Sequence, residues 1–123
     1  MICIWFCACG SASEKIELAK QNVERFHSQF NSAEYGAIYA STDEKVRVSR
    51  SQTDFTNYLQ SVHDRLGNVQ SCSLLRTAFA WHTTQRATIT LVYETSFAKG
   101  VGREQFIWQI DENQVSLYRY TVN

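Results

Sequence analysis

From Ile16 to Leu66 apolar residues recur mostly at three- and four-residue steps, and from Val69 onward the period falls to two. The chain therefore reads as helices first and an antiparallel sheet last. Ser11-x-x-Glu14 has the form of a capping box and predicts a helix starting near Ala12. Ile16, Ala19, Val23, Phe26 and Phe30 then form one stripe, with Glu17, Lys20, Glu24 and Gln29 largely opposite. Asn31-x-x-Glu34 repeats the start signal and predicts a short second helix over 33–39, with Ile38 and Tyr39 turned inward. Residues 41–45 read as a polar connector, and the alternation Val46-Arg-Val48 as a short strand or extended link. Ser51-x-x-Asp54 opens a third helix with Phe55, Leu59, Val62 and Leu66 on one face, ending at Gly67 in a left-handed C′ position.

Four strands are predicted after that glycine. The first covers 69–82. The second, 86–97, alternates Ala87, Ile89, Leu91, Tyr93 and Phe97 against Arg86, Thr88, Thr90 and Glu94. Gly100 and Gly102 turn the chain into a third strand carrying Phe106, Trp108 and Ile110 on one face, and residues 111–114 turn it into a fourth over 115–122. Parity breaks in the fourth strand, because Val115 and Leu117 point one way and Tyr118, Tyr120 and Val122 the other; a bulge near Arg119 would reconcile them. The expected fold is α+β, with N-terminal helices packed on a curved four-stranded antiparallel meander.

Length and composition add bounds. The chain has 123 residues, 44% of them hydrophobic, which suits one domain with a real core. Twelve basic residues balance twelve acidic ones, so no net charge draws the molecule to nucleic acid. That neutrality and the aromatic content leave a homodimer open. Three of the four cysteines (Cys3, Cys7, Cys9, Cys72) fall in the first nine residues, which is not a disulfide framework, and no partner at metal-ligand spacing joins Cys7 and Cys9. The apolar run over 1–9 is too short to span a bilayer. It resembles the end of a bacterial lipoprotein signal: Ala8 precedes Cys9, and small polar residues follow. That resemblance implies lipidation of Cys9, a membrane tether and a cell-envelope address, with 1–13 as signal-like segment and spacer and 14–123 as the domain. Left unprocessed, the same chain would stay in the cytoplasm.

Arg65-Leu-Gly67, the run Tyr93-Glu-Thr-Ser-Phe97-Ala-Lys-Gly100, Glu104-Gln-Phe106 and the closing Leu117 to Val122 resemble a bacterial domain-of-unknown-function family of the nuclear transport factor 2-like (cystatin-like) superfamily. The similarity spans residues 14 to 123 and implies a cone of helices over a curved sheet. Arg119 departs from it, standing where such domains often carry a small residue before the tyrosine. A neighbouring branch contains isomerases and dehydratases, but none of their catalytic constellations can be placed here by motif.

The candidate chemistry is sparse. Tyr93 lies in an otherwise apolar register and Arg119 where parity breaks, so the two are the candidate ligand-binding pair, the arginine suited to a carboxylate or phosphate. His27, His63 and His82 are the candidate bases, with His27 and His63 also placed to cover core edges. Glu94 and Glu104 stand on adjacent strands, although Glu94 shares the polar face with Thr88 and Thr90. Trp81 and Tyr118 suit an interface, Trp108 the core. No nucleophile elbow, phosphate loop or metal motif occurs, and no cofactor is implied. The leading expectation is a non-catalytic envelope module binding a protein partner or small apolar ligand. Two alternatives stand: a cofactor-free isomerase or hydrolase using a histidine or Glu104 as base with Tyr93 as donor, and a structural dimer subunit. Filling of the interior by Phe26, Phe30, Phe97 and Trp108 would count against the enzyme.

Overall fold

The apolar stripe of the first helix decides how the layers meet. A computed structural model describes residues 12–83, 86–112 and 114–123. In it the stripe belongs to α1 (Ala12–Asn31), which lies across the sheet with Ala19, Val23, Phe26 and Phe30 buried against it. The start signal at Ser11 and the lipidation candidate Cys9 lie outside the described residues. Lys15 is held at the other end of the sheet, its ammonium donating to the carbonyl of Glu112 at 2.8 Å.

α2 (Tyr35–Ala40) follows through Ala33, a non-glycine residue at φ 59°. Asn31 does not cap it. The Asn31 amide instead donates to the Val69 carbonyl at 3.0 Å and accepts from the Val69 N–H at 2.8 Å, so the residue ties the end of α1 to the first strand. Residues 46–48 are helical rather than extended: they belong to α3 (Glu44–Ser49), whose N-cap Asp43 accepts from the Lys45 N–H. An aspartate followed by a first-turn glutamate outweighs three alternating residues. The third helix expected over 52–66 is therefore the fourth, α4 (Gln52–Leu66), and it is capped as its sequence predicts: Ser51 accepts from the Asp54 N–H at 3.1 Å. Gly67 ends it at φ 83°, ψ −168°. The positive φ is as expected, but ψ is extended, a combination essentially reserved for glycine.

β1 (Val69–Trp81), β2 (Arg86–Phe97), β3 (Gly100–Asp111) and β4 (Gln114–Val122) form one open antiparallel sheet in the order β1-β2-β3-β4. The helices are followed by the sheet, as the change of period predicts. β4 carries the expected bulge. Ile107 pairs with Arg119 and Trp108 with Leu117, so Tyr118 is the extra residue, and both Leu117 and Tyr120 turn to the helices and are buried. Without the bulge those two, three positions apart, would face opposite ways.

The core between the layers is aromatic. Phe106 touches Phe26, Tyr93, Tyr120 and Trp108 at ring-centroid distances of 5.0 to 6.0 Å. Phe26, Phe30, Phe97 and Trp108 are all buried. A crevice beside Phe26 and Trp108 has about 10 Å³, room for no more than one water molecule. β1 is exposed along most of its length.

Candidate functional site

Two polar constellations stand out, one inside the layers and one outside. The inner one centres on Glu104, which is 0% exposed. His27 Nε2 donates to its Oε1 at 2.7 Å, the Thr95 hydroxyl to the same oxygen at 2.6 Å, and the Tyr120 hydroxyl to Oε2 at 2.6 Å. Three strands and α1 thus meet on one carboxylate. Burial, with the Glu104 charge and hydrogen bond behind it, holds the Tyr120 phenol well above its ordinary pKa. The network has the residue types of an acid–base set, and the rings of Phe26 and Phe106 pack around it.

Tyr93 borders this inner network. It pairs with Glu104 across β2 and β3, is 7% exposed, and meets Phe106 edge-on at 5.9 Å. Burial first, then the nearby Cys72, Glu24, Glu104 and Glu17, pushes its phenol up to about 12. Arg119 is elsewhere. It pairs with Ile107, whose neighbours Phe106 and Trp108 face the helices, so Arg119 has the opposite parity and the structure does not bring it to Tyr93. Glu94 is exposed opposite Arg103, away from Glu104.

The other histidines have structural partners. His63 Nδ1 accepts from the Tyr35 hydroxyl at 2.5 Å while Nε2 donates to Asn68 Oδ1 at 2.5 Å, linking α2, α4 and the start of β1. Phe30 packs on the His63 ring at 4.5 Å. His82 sits at the exposed strand end with Nε2 3.0 Å from the Thr88 hydroxyl.

The outer constellation is a groove of about 410 Å³ between α3, the start of α4 and the open edge of β4. Arg119 lines it, and so do Lys45 and Arg50, which the alternation of apolar residues gave no reason to single out. Its walls are Phe55, Tyr58, Tyr118 and Tyr120; no carboxylate is among the described residues that line it. Each local fold places one wall. Arg50, the C-cap of α3, has its guanidinium carbon 5.3 Å from the Tyr58 ring centroid and 5.8 Å from that of Phe55. Its carbonyl accepts from the Tyr39 hydroxyl at 2.7 Å. The bulge at Tyr118 brings Tyr118, Arg119 and Tyr120 to the groove together. Upstream, the edge of β4 is closed by the 41–43 segment, where the Asp43 N–H donates to the Leu117 carbonyl at 2.8 Å. Asp43 and Glu44 line the depression on the other side of α3. Among the described residues, Lys45, Arg50 and Arg119 take part in no ion pair.

Among the described residues no cluster of three or more histidine, cysteine or acidic side chains is arranged to hold a metal, and no helix is long and apolar enough to cross a membrane. Neither the models of known protein families nor the curated proteins provide a match to the chain.

Proposed function

We propose that this chain is a non-catalytic binding module of the cell envelope, built on the nuclear transport factor 2-like cone, that takes its ligand in the groove between α3, α4 and β4. One observation carries the choice of site: three cationic residues that have no ion pair among the described residues line a concave, aromatic-walled surface, while the aromatic residues between helices and sheet are buried. The groove chemistry moves the expected ligand from a purely apolar one to one bearing negative charge. Helices that precede a four-stranded meander, joined by the glycine at 67, support the cone reading. The Ala8-Cys9 sequence supports the envelope address.

The enzyme reading is the weaker one, because aromatic rings pack around the buried network of His27, Glu104 and Tyr120, and His63 is engaged on both nitrogens by Tyr35 and Asn68. A structural dimer subunit is favoured by a separate observation. β1 leaves its outer edge unpaired among the described residues, and Trp81 is 49% and Leu75 50% exposed.

Crystals of the protein purified from its native host test the site directly. Ligand density over Arg119 and Tyr58 is the expected result; density between Phe26 and Phe106 would contradict it. Intact-mass analysis of the same material tests the address, where a diacylglyceryl group on Cys9 is expected and an unmodified Met1 would end the lipoprotein reading.

A further inference from the structure

We infer that the groove is a site for a phosphate monoester carried on an aromatic or apolar body; this rests on the groove being the ligand site. The charge count comes first. Lys45, Arg50 and Arg119, three formally positive residues, line one depression, and no carboxylate is among the described residues that line it. A phosphate monoester carries close to two negative charges at neutral pH and offers three acceptor oxygens, whereas a carboxylate brings one charge and two oxygens. Two guanidinium groups suit tetrahedral phosphate oxygens through paired N–H donors, and the ammonium adds a third, adaptable cation.

The acidic residues at the start of α3 line a different depression. Glu44 and the N-cap Asp43 stand there together with Arg47, whereas Lys45 lines the groove. Arg50 stands beside the aromatic wall. Its guanidinium carbon lies over the Tyr58 and Phe55 rings at 5.3 and 5.8 Å, so the cation and the ring surface are adjacent. The exposed Tyr118, together with Tyr58, presents a ring surface beside the cations, which a bare inorganic anion would leave unused.

Calorimetric titration of the protein tests this with phenyl phosphate, inorganic phosphate and benzyl alcohol, and with vesicles containing phosphatidate to separate a soluble ester from a lipid headgroup. Phenyl phosphate is expected to bind at least tenfold more tightly than either inorganic phosphate or benzyl alcohol. Arg119→Ala and Lys45→Ala should each weaken it about tenfold, and Arg50→Lys should weaken it despite keeping the charge. Vesicle binding with the same variant dependence would support the class and assign the lipid source. Benzyl alcohol binding as tightly as phenyl phosphate, with loss in Tyr58→Ala, would overturn the phosphate class and leave the groove as the site. Phenyl phosphate binding that all three cation variants leave unchanged would overturn both. No binding of phenyl phosphate or of the phosphatidate vesicles to folded protein would overturn the class, and the native-host crystal then decides separately whether the groove is occupied. Circular dichroism of each variant guards against loss of fold.

Discussion

Removing the Glu104 carboxylate would leave the donors of His27, Thr95 and Tyr120 without their acceptor in a place that water does not reach. Glu104→Ala is therefore expected to cost about 3–5 kcal/mol, as when one partner of a buried hydrogen-bonded pair is removed. Urea unfolding measures it, and a cost below about 1 kcal/mol would mean that the network is not closed. The same burial gives an alkaline signature. Tyr93, with its phenol pushed up to about 12, and Tyr120, also raised, stay neutral in the folded state above pH 10, where the unfolded chain ionises. Between about pH 10 and 12 the unfolded state has thus released protons that the folded state keeps, so stability is full below pH 10 and falls as pH rises. Tyr93→Phe should flatten part of that fall in urea unfolding followed from pH 9 to 12; an unchanged slope would mean that this phenol is not buried as described.

At the scale of elements, the legible features were those set by local periodicity and capping. The α1 stripe, the Ser51 cap and the alternation in β2 needed no distant partner to be read. The β4 bulge was legible as well, because Leu117 and Tyr120 cannot share a face without an extra residue between them. What escaped depended on competition or on distance. The Asn31 side chain, despite its cap-like spacing to Glu34, is engaged by Val69, 38 residues away; Val46-Arg-Val48 alternates like a strand, but the Asp43 cap makes it helical. The candidate site was half legible. Arg119 showed itself through broken parity, but Lys45 and Arg50 join it only through the packing of α3 beside β4, and Tyr93 proved to face the core. Two substitutions test the element account. Gly67→Ala places a Cβ 3.0 Å from that of Ala98 at a backbone conformation nearly unique to glycine, and should cost about 1–3 kcal/mol. Ser51→Ala, which removes only the cap, should cost about 1 kcal/mol. Thermal unfolding of the two variants should preserve that order.

Across the whole molecule, α1 reaches all four strands, yet most of β1 stays exposed at one side of the sheet and a charged groove lies at the other. β1 holds thirteen residues with one charge, Arg76, and no proline, so it has few of the usual guards against pairing with another strand. Sedimentation velocity from micromolar to millimolar protein is expected to show reversible self-association that Leu75→Lys weakens; the same curve for both proteins would place any association elsewhere. The central claim concerns which of the two constellations receives a ligand. Titrating isotope-labelled protein with phenyl phosphate and following side-chain and backbone resonances tests it most directly. Shifts are expected only in the groove, at Lys45, Arg50, Tyr58 and Tyr118 to Thr121, with the His27 and Tyr93 side chains unmoved. Saturable shifts of the His27 ring and Tyr93 without those of Arg50 and Arg119 would place the ligand between helices and sheet and contradict it.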